Sequence, residues 1–523
     1  MKTPFALYFW AIAAVACNGN RAQGVTSDAD SVSIDSVPEK IVYLPDTSYA
    51  SVDNVKYRID IEDSTEALLC DFRDLYAEQR NICLFRRNLL RNADFGGSVK
   101  GIPSEIEESW VFQTDVDNTA TNFGSWGGGT GWTGQPLYIQ WTDADTAAFR
   151  RQSPGLTDDF GTEEIYVSSL CGRGYFINFK TGRASRRPLD LANVVKGTSS
   201  LDPEYKNLYV GQGVPRTAGP FGCEVFDLLR HERTFFFGPD RQAWRGWGAF
   251  DSNAVVAGGF LFWPGENGSL YKYRRSQGQL NRVAVLRYRV RGSAPGIESS
   301  LCIYKNYGYF ADNHGNVICV NLNTLRPVWH YRNLDDTDGT IVCREEGGLP
   351  FVYTACEVDK QGTSGTCHFV KLNGLNGELA WEQNIPCRRI ELPGKTLDGG
   401  MYATPLLGLG DCKEMIFANI CRNGAARHAG EMVALDTKTG EIRYTVPYSN
   451  FAWSSPIPLT NERGEMFVFT GDASGNAYVI RGATGEILCR RAVGFNFESS
   501  PIAVGNAVVI GCRGRNIYKF LIR

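Results

Sequence analysis

Apolar residues along this chain recur with a period of two, in runs of four to seven positions closed by Gly, Asn or Asp. The clearest run is Gly430-Glu-Met-Val-Ala-Leu-Asp-Thr-Lys-Thr-Gly-Glu-Ile-Arg-Tyr444, where a short strand meets an Asp-x-x-Thr-Gly turn and a second strand leaves. Met432, Ala434 and Tyr444 take the inward positions of half-buried strands, and Gly440 supplies the positive φ that a tight hairpin turn requires. The phrase returns at Tyr478–Leu488, Phe369–Trp381 and Val317–Trp329, with a weaker copy at Gly174–Gly182. Each copy follows another apolar run, as in Met466–Gly471 and Tyr307–Asp312. Several are introduced by a third element: Trp453-Ser-Ser-Pro456, Glu498-Ser-Ser-Pro501, Glu298-Ser-Ser-Leu301 and Tyr402-Ala-Thr-Pro405.

Four short strands per unit, repeating at roughly 40–50 residues, predict an all-β fold built as a β-propeller. The blades read as about Pro136–Leu191, Val195–Pro239, Gly248–Val290, Glu298–Arg332, Thr340–Ile385, Met401–Tyr448 and Trp453–Val493. Phe497–Arg523 supplies only three strands. The early strand at Trp110–Thr114 makes up the deficit, so that an N-terminal strand pairs with the C-terminal blade and closes an eight-bladed ring. The eroded motifs of the second and third blades leave seven as the competing count.

Upstream, Lys2 and the apolar run Pro4–Ala16 have the layout of an export leader, 1–22 if cleaved after Ala22, or 1–16 if Cys17 becomes an acylated first residue. The expected localisation is the periplasm or outer membrane of a Gram-negative bacterium, with membrane contact only through that lipid. Residues 23–80 read as a tether with little regular structure and one short helix capped by Ser64, its apolar positions running to Tyr76. The propeller occupies 81–523. A formal charge of −3 gives no basic field for nucleic acid.

These residues resemble the pyrroloquinoline-quinone-like, or quinoprotein-like, propeller repeats. The most specific likeness is the docking pattern Ala-x-Asp-x-x-Thr-Gly-x-x-x-Trp, present as Ala434, Asp436, Thr439 and Gly440 with Tyr444 at the aromatic position; Phe369–Trp381 keeps Gly377 and the Trp. The segment Ile82–Asn92 resembles the Phe-Arg-Gly stretch before the first blade of such proteins, with Arg87 in place of the Gly. The resemblance implies an aromatic stacked on the turn of the neighbouring blade, which is architecture and not catalysis. It admits two functions: a quinone-dependent dehydrogenase, or a non-enzymatic scaffold like the propeller lipoprotein of the outer-membrane β-barrel assembly machinery. The dehydrogenases carry an adjacent Cys-Cys pair and Ca²⁺ ligands; this chain has no Cys-Cys dipeptide, and the ligands do not map. The reading is a non-catalytic scaffold with no cofactor.

Candidate chemistry is sparse. The His residues at 231, 314, 330, 368 and 428 have no metal-ligand spacing. Asp335-Asp-Thr-Asp-Gly339 lacks the closing Glu of a Ca²⁺ loop and reads as a solvated inter-blade turn. No metal site is assigned. Cys356 and Cys367 flank a polar insert and form a candidate disulfide, with Cys70 and Cys83 as a second pair; the other cysteines read as small apolar residues. Partner binding is placed on the face carrying the aromatic inter-blade connections: Trp126, Trp132, Trp244, Trp247, Tyr402, Phe451, Trp453, Phe495 and Phe497. The expected partner is an envelope protein or polymer.

Overall fold

A computed structural model describes residues 41–45, 50–62, 69–77, 79–93, 96–216, 219–392, 395–423 and 429–523. The export leader, Cys17, the Ser64 cap and His428 lie outside them. Tyr43–Arg523 forms one compact body.

Eight four-stranded antiparallel sheets follow one another as blades, with inner strands starting at Leu137, Ser200, Val255, Cys302, Val342, Leu406, Ile457 and Ile502. Strands in the middle of a blade are covered on both faces, and Tyr307–Ala311, Asn316–Asn321 and Met466–Gly471 are buried at every position. Outer strands alternate. In Leu379–Arg388, Trp381, Ile385 and Cys387 point inward while the residues between them are wholly or partly exposed.

The ring closes as the sequence predicts. Ile106–Gln113 pairs antiparallel with Asn516–Ile522 and completes the eighth blade. Other early segments also join the body. Val55–Ile61 adds a fifth strand to the third blade by pairing with Ala284–Val290, and Gly97–Ser98 runs parallel to Leu459–Thr460. The expected tether therefore contains a sheet strand. Leu69–Tyr76, expected to be helical, has no regular secondary structure and ends in a turn, where the Asp74 carboxylate accepts from the amides of Tyr76, Ala77 and Leu89. Asp143–Gln152 in the first blade is an α-helix that the strand pattern did not predict; Thr142 and Asp145 cap it reciprocally.

The docking pattern has a geometric cause. In the blades bearing Trp329, Trp381, Tyr444 and Trp110, the outer strand bulges by one residue just before the aromatic and turns it toward the next blade. Each ring lies against a glycine of that blade's turn: Gly377, Gly440, Gly485 and Gly182, all at φ between +69° and +78°. Each polar tip donates to the carbonyl three residues before that glycine: Trp329 to Gly374 at 2.9 Å, Trp381 to Thr437 at 3.0 Å, Trp110 to Phe179 at 3.0 Å, and Tyr444 to Gly482. A Cβ at any of these glycines would sit 2.6–2.8 Å from ring atoms. Trp110 thus bridges the seam between the last blade and the first.

Candidate functional site

The third repeat element builds the centre of the molecule. The hydroxyls of Ser300, Thr340, Thr404, Ser455 and Ser500 each accept a backbone N–H from the equivalent residue of the preceding blade, at 3.0–3.2 Å. Ser500 N–H donates to Gly134 O at 3.0 Å and Gln135 N–H to Thr198 Oγ1 at 2.9 Å, carrying the girdle across the closure. One end of the axis is filled by Ile82–Arg91. The buried Arg86 guanidinium donates to the carbonyls of Thr404, Pro405 and Pro456, and Arg91 to those of Phe85 and Leu301. Arg87 sits at φ +66°, which explains why related patterns carry Gly there. Burial lowers the Arg86 pKa to about 9.

Two residues before each girdle position, or three in the first blade, where Trp132 precedes Gln135, every blade contributes one equivalent side chain. In chain order these are Trp132, Lys196, Asp251, Glu298, Asp338, Tyr402, Trp453 and Glu498. Six of them, with Phe85 as floor, border an axial cavity of about 30 Å³. Tyr402 stacks on Trp453 at 4.7 Å between centroids, and Trp453 meets Trp132 edge-on at 5.1 Å. Lys196 lies 4.7 Å over the Trp132 ring and is ion-paired with Asp251. Glu498 turns aside to Asn496 and Arg513.

Carboxylates gather at this mouth in two groups, Asp251, Glu266 and Glu298, and Asp336, Asp338 and Glu357, in each of which one oxygen from every residue lies within 4.8 Å of the others. Glu266 and Glu357 are each 4% exposed, and one oxygen of each has no hydrogen-bond partner; the same holds for one oxygen each of Asp336 and Asp338, while Asp251 is ion-paired with Lys196. Burial, then the neighbouring Glu298 carboxylate, raises Glu266, Asp338 and Asp336, the last to about 7; Glu357 is raised by burial and by Asp338. Burial opposes the charge of Lys196, but Asp251, Glu266 and Glu298 together outweigh it and hold the ammonium protonated. Six carboxylates facing one another, with hard oxygens unsatisfied, suit a cation.

The Asp335–Gly339 turn is therefore not the solvated loop its sequence suggested. Asp335 is 1% exposed and binds the amides of Asp359, Lys360 and Gln361, which folds Asp336 and Asp338 inward. Beside the axis opens a larger pocket of about 780 Å³, lined by Phe123, Trp126, Trp132 and Trp247 with Lys196, Arg245, Glu266 and Glu298. Five of the nine predicted aromatics thus meet at or beside the mouth: Trp126, Trp132, Trp247, Tyr402 and Trp453. Phe451 is buried behind Trp453 at 5.3 Å, and Trp244 lies under the Arg289 guanidinium. Phe495 is half exposed over Gly514. Phe497 is wholly buried against Tyr518 and is a core residue, unable to meet a partner.

Every cysteine among the described residues is a free thiol. Cys356 and Cys367 do not bridge, because Ala355 pairs with Phe369, setting Cys356 opposite His368, whose amide donates to the Cys356 sulfur at 3.3 Å. Successive side chains alternate faces, so Cys367 points away. Cys70 instead donates to Ala257 O at 3.0 Å. The four described histidines are scattered; His330 meets Asn316, and His368 sits between Asn333 and Glu382. Apart from the Asp335–Gly339 turn, the carboxylates of the mouth were missed because they come from separate stretches of three successive repeats. Aligning the residues before Ser-Ser-Pro would have found Asp251, Glu298 and Asp338; Glu266 and Glu357 carry no such mark.

No family model and no curated protein matches the chain. Among solved structures it is similar to the quinohemoprotein alcohol dehydrogenase ADHIIG of Pseudomonas putida HK5 (13% identity, 86% of this chain and 81% of that one, TM-score 0.58). It is also similar to the quinohemoprotein alcohol dehydrogenase of Comamonas testosteroni (13%, 85% and 81%, TM-score 0.57). BamB of Moraxella catarrhalis aligns over 80% of this chain and 98% of its own, at 12% identity and a TM-score of 0.46. The fold is that of the quinoprotein-like propellers; at these identities the likeness is one of fold.

Proposed function

We propose that the protein is a non-catalytic recognition propeller of the bacterial cell envelope, which seats a protein or polymer partner on its mouth face. The observation that carries this reading is the ring of equivalent positions. A purely structural ring gains nothing from clustering buried carboxylates that each keep an oxygen without a partner, as Glu266, Asp336, Asp338 and Glu357 do, since that costs free energy which a ligand's charge or hydrogen bonds would recover. The aromatic members supply rigid contact area around them. Export rests on the leader pattern of the sequence.

A quinone-dependent dehydrogenase is the second reading, favoured by the fold and by carboxylates fit for a metal ion. The axial cavity alone is too small for the quinone, and the pocket beside it, which has the room, is bordered by the Glu266 and Glu298 carboxylates. About 30 Å³ holds a water or two, whereas sites for organic cofactors run to several hundred Å³. The only ring cation, Lys196, is already paired with Asp251, and a tricarboxylate quinone would face the carboxylates of the mouth.

Two measurements separate the readings. Protein incubated with pyrroloquinoline quinone and Ca²⁺ is expected to reduce no dye with alcohols or sugars; robust turnover overturns the recognition reading. Capture of a partner from solubilised envelopes is expected to weaken in a Trp126→Ala/Trp132→Ala double variant of nearly unchanged melting temperature. Undiminished capture removes these indoles from the interface.

A further inference from the structure

The pocket beside the ring has a composition that selects for one kind of ligand. Three indoles and a phenyl ring wall it: Trp126, Trp132, Trp247 and Phe123, with Trp247 and Phe123 edge to face at 5.5 Å and Trp126 and Trp132 at 6.2 Å. Glu266 and Glu298 form its acidic side. Trp247 Nε1 donates to Glu266 Oε2 at 2.8 Å and fixes that carboxylate, leaving the buried Oε1 with no partner. Glu298 accepts from Asn313 Nδ2 at 3.3 Å.

Lys196 shows what this wall accepts. Its ammonium rests on the Trp132 face and is paired with Asp251, so one ammonium is already seated between an indole and a carboxylate. Glu266 lines the same pocket, and no ammonium is ion-paired with it among the described residues. The other cation of the pocket, Arg245, packs over the Gly296 backbone. The remaining cations near the mouth are engaged elsewhere: Lys360 is paired with Asp336 and Asp359, and Arg513 lies 5.4 Å over the Trp126 ring and is paired with Glu498. Indole faces attract cations through the ring quadrupole, most strongly where water is excluded.

We propose that this pocket is a seat for a lysine side chain of the partner protein, free or N-methylated. Its ammonium lies against Glu266 and its methylenes run between Trp126 and Trp247. The inference rests on the recognition reading and names the group recognised. A 780 Å³ pocket exceeds one lysine side chain, leaving room for the flanking peptide.

The test is calorimetric titration of the full-length protein with Nα-acetyl-lysine methylamide, its trimethyl-lysine counterpart and the uncharged norleucine isostere, in EDTA and again with Ca²⁺. Both ammonium probes are expected to bind saturably, and norleucine at least tenfold more weakly. Glu266→Gln is expected to weaken ammonium binding tenfold or more. Should that variant fail to fold, Trp126→Ala, at the pocket rim, is expected to weaken it several-fold. Norleucine binding as tightly as lysine, failure of both ammonium probes, or Ca²⁺ binding with no ammonium binding in EDTA would overturn the assignment. Failure of the probes with partner capture intact removes the lysine seat and leaves the recognition reading. Probe binding with no captured partner leaves the seat and removes that reading.

Discussion

Trp110 closes the ring, and its removal tests the seam directly. The side chain is 9% exposed, lies on Gly182 of the first blade, and donates to Phe179 O at 3.0 Å. Truncating a buried Trp to Ala costs about 3–5 kcal/mol. Lys519 Nζ also donates to Phe179 O, at 2.8 Å, so the carbonyl keeps a partner and no penalty for an orphaned acceptor is added. Unfolding entropy of about 2.1 cal/mol/K per residue gives about 1 kcal/mol/K for a body spanning Tyr43–Arg523, so Trp110→Ala should lower the melting temperature by about 3–5 °C. Scanning calorimetry provides the assay. Trp381→Ala, with the same docking inside the ring, serves as the positive control, and Trp126→Ala at the mouth as the negative one. A shift below about 1 °C for Trp110→Ala, with Trp381→Ala shifted as expected, would refute the seam as a stabilising contact.

Deleting residues from Asn516 onward removes the buried Ile517, Phe520 and Ile522 and exposes the edge of Ala507–Gly511; at about 1.5–3 kcal/mol per side chain the loss approaches the whole stability of a typical protein, and loss of the cooperative transition is expected by calorimetry. Gly440→Ala should destabilise more than Gly464→Ala in urea unfolding: both glycines have φ near +77°, costing about 1–2 kcal/mol for a side chain, but only the Cβ at 440 meets Trp381, 2.6 Å away. Burial holds the folded-state pKa values of Asp336 and Glu224 at about 7, above their unfolded values near 4. Their contribution is therefore full below about pH 4 and is lost as pH rises through 7, so a melting-temperature profile over pH 4–7 should fall less steeply in Asp336→Asn than in wild type.

The repeat, its strand period and the docking glycines were legible in sequence because they depend on local geometry: alternation fixes which side chains face inward, and a turn at positive φ demands Gly. The three-strand remainder at the C-terminus likewise announced the closure, since an unpaired blade edge has to be covered. Local pattern could not show that Val55–Ile61 would find the outer edge of the third blade, nor that Leu69–Tyr76 would end in an amide-binding turn at Asp74 rather than form a helix, because both depend on partners distant in the chain. The mouth is the plainest case. Tyr402, Trp453 and Trp132 were identified as aromatic exceptions in inter-blade connections, and Asp338 within a turn resembling a Ca²⁺ loop, but Asp251, Glu266, Glu298 and Glu357 look like ordinary surface acids within their own repeats. Only the packing of successive blades around one axis brings them together and takes away their water, and that desolvation turns these unremarkable carboxylates into a site.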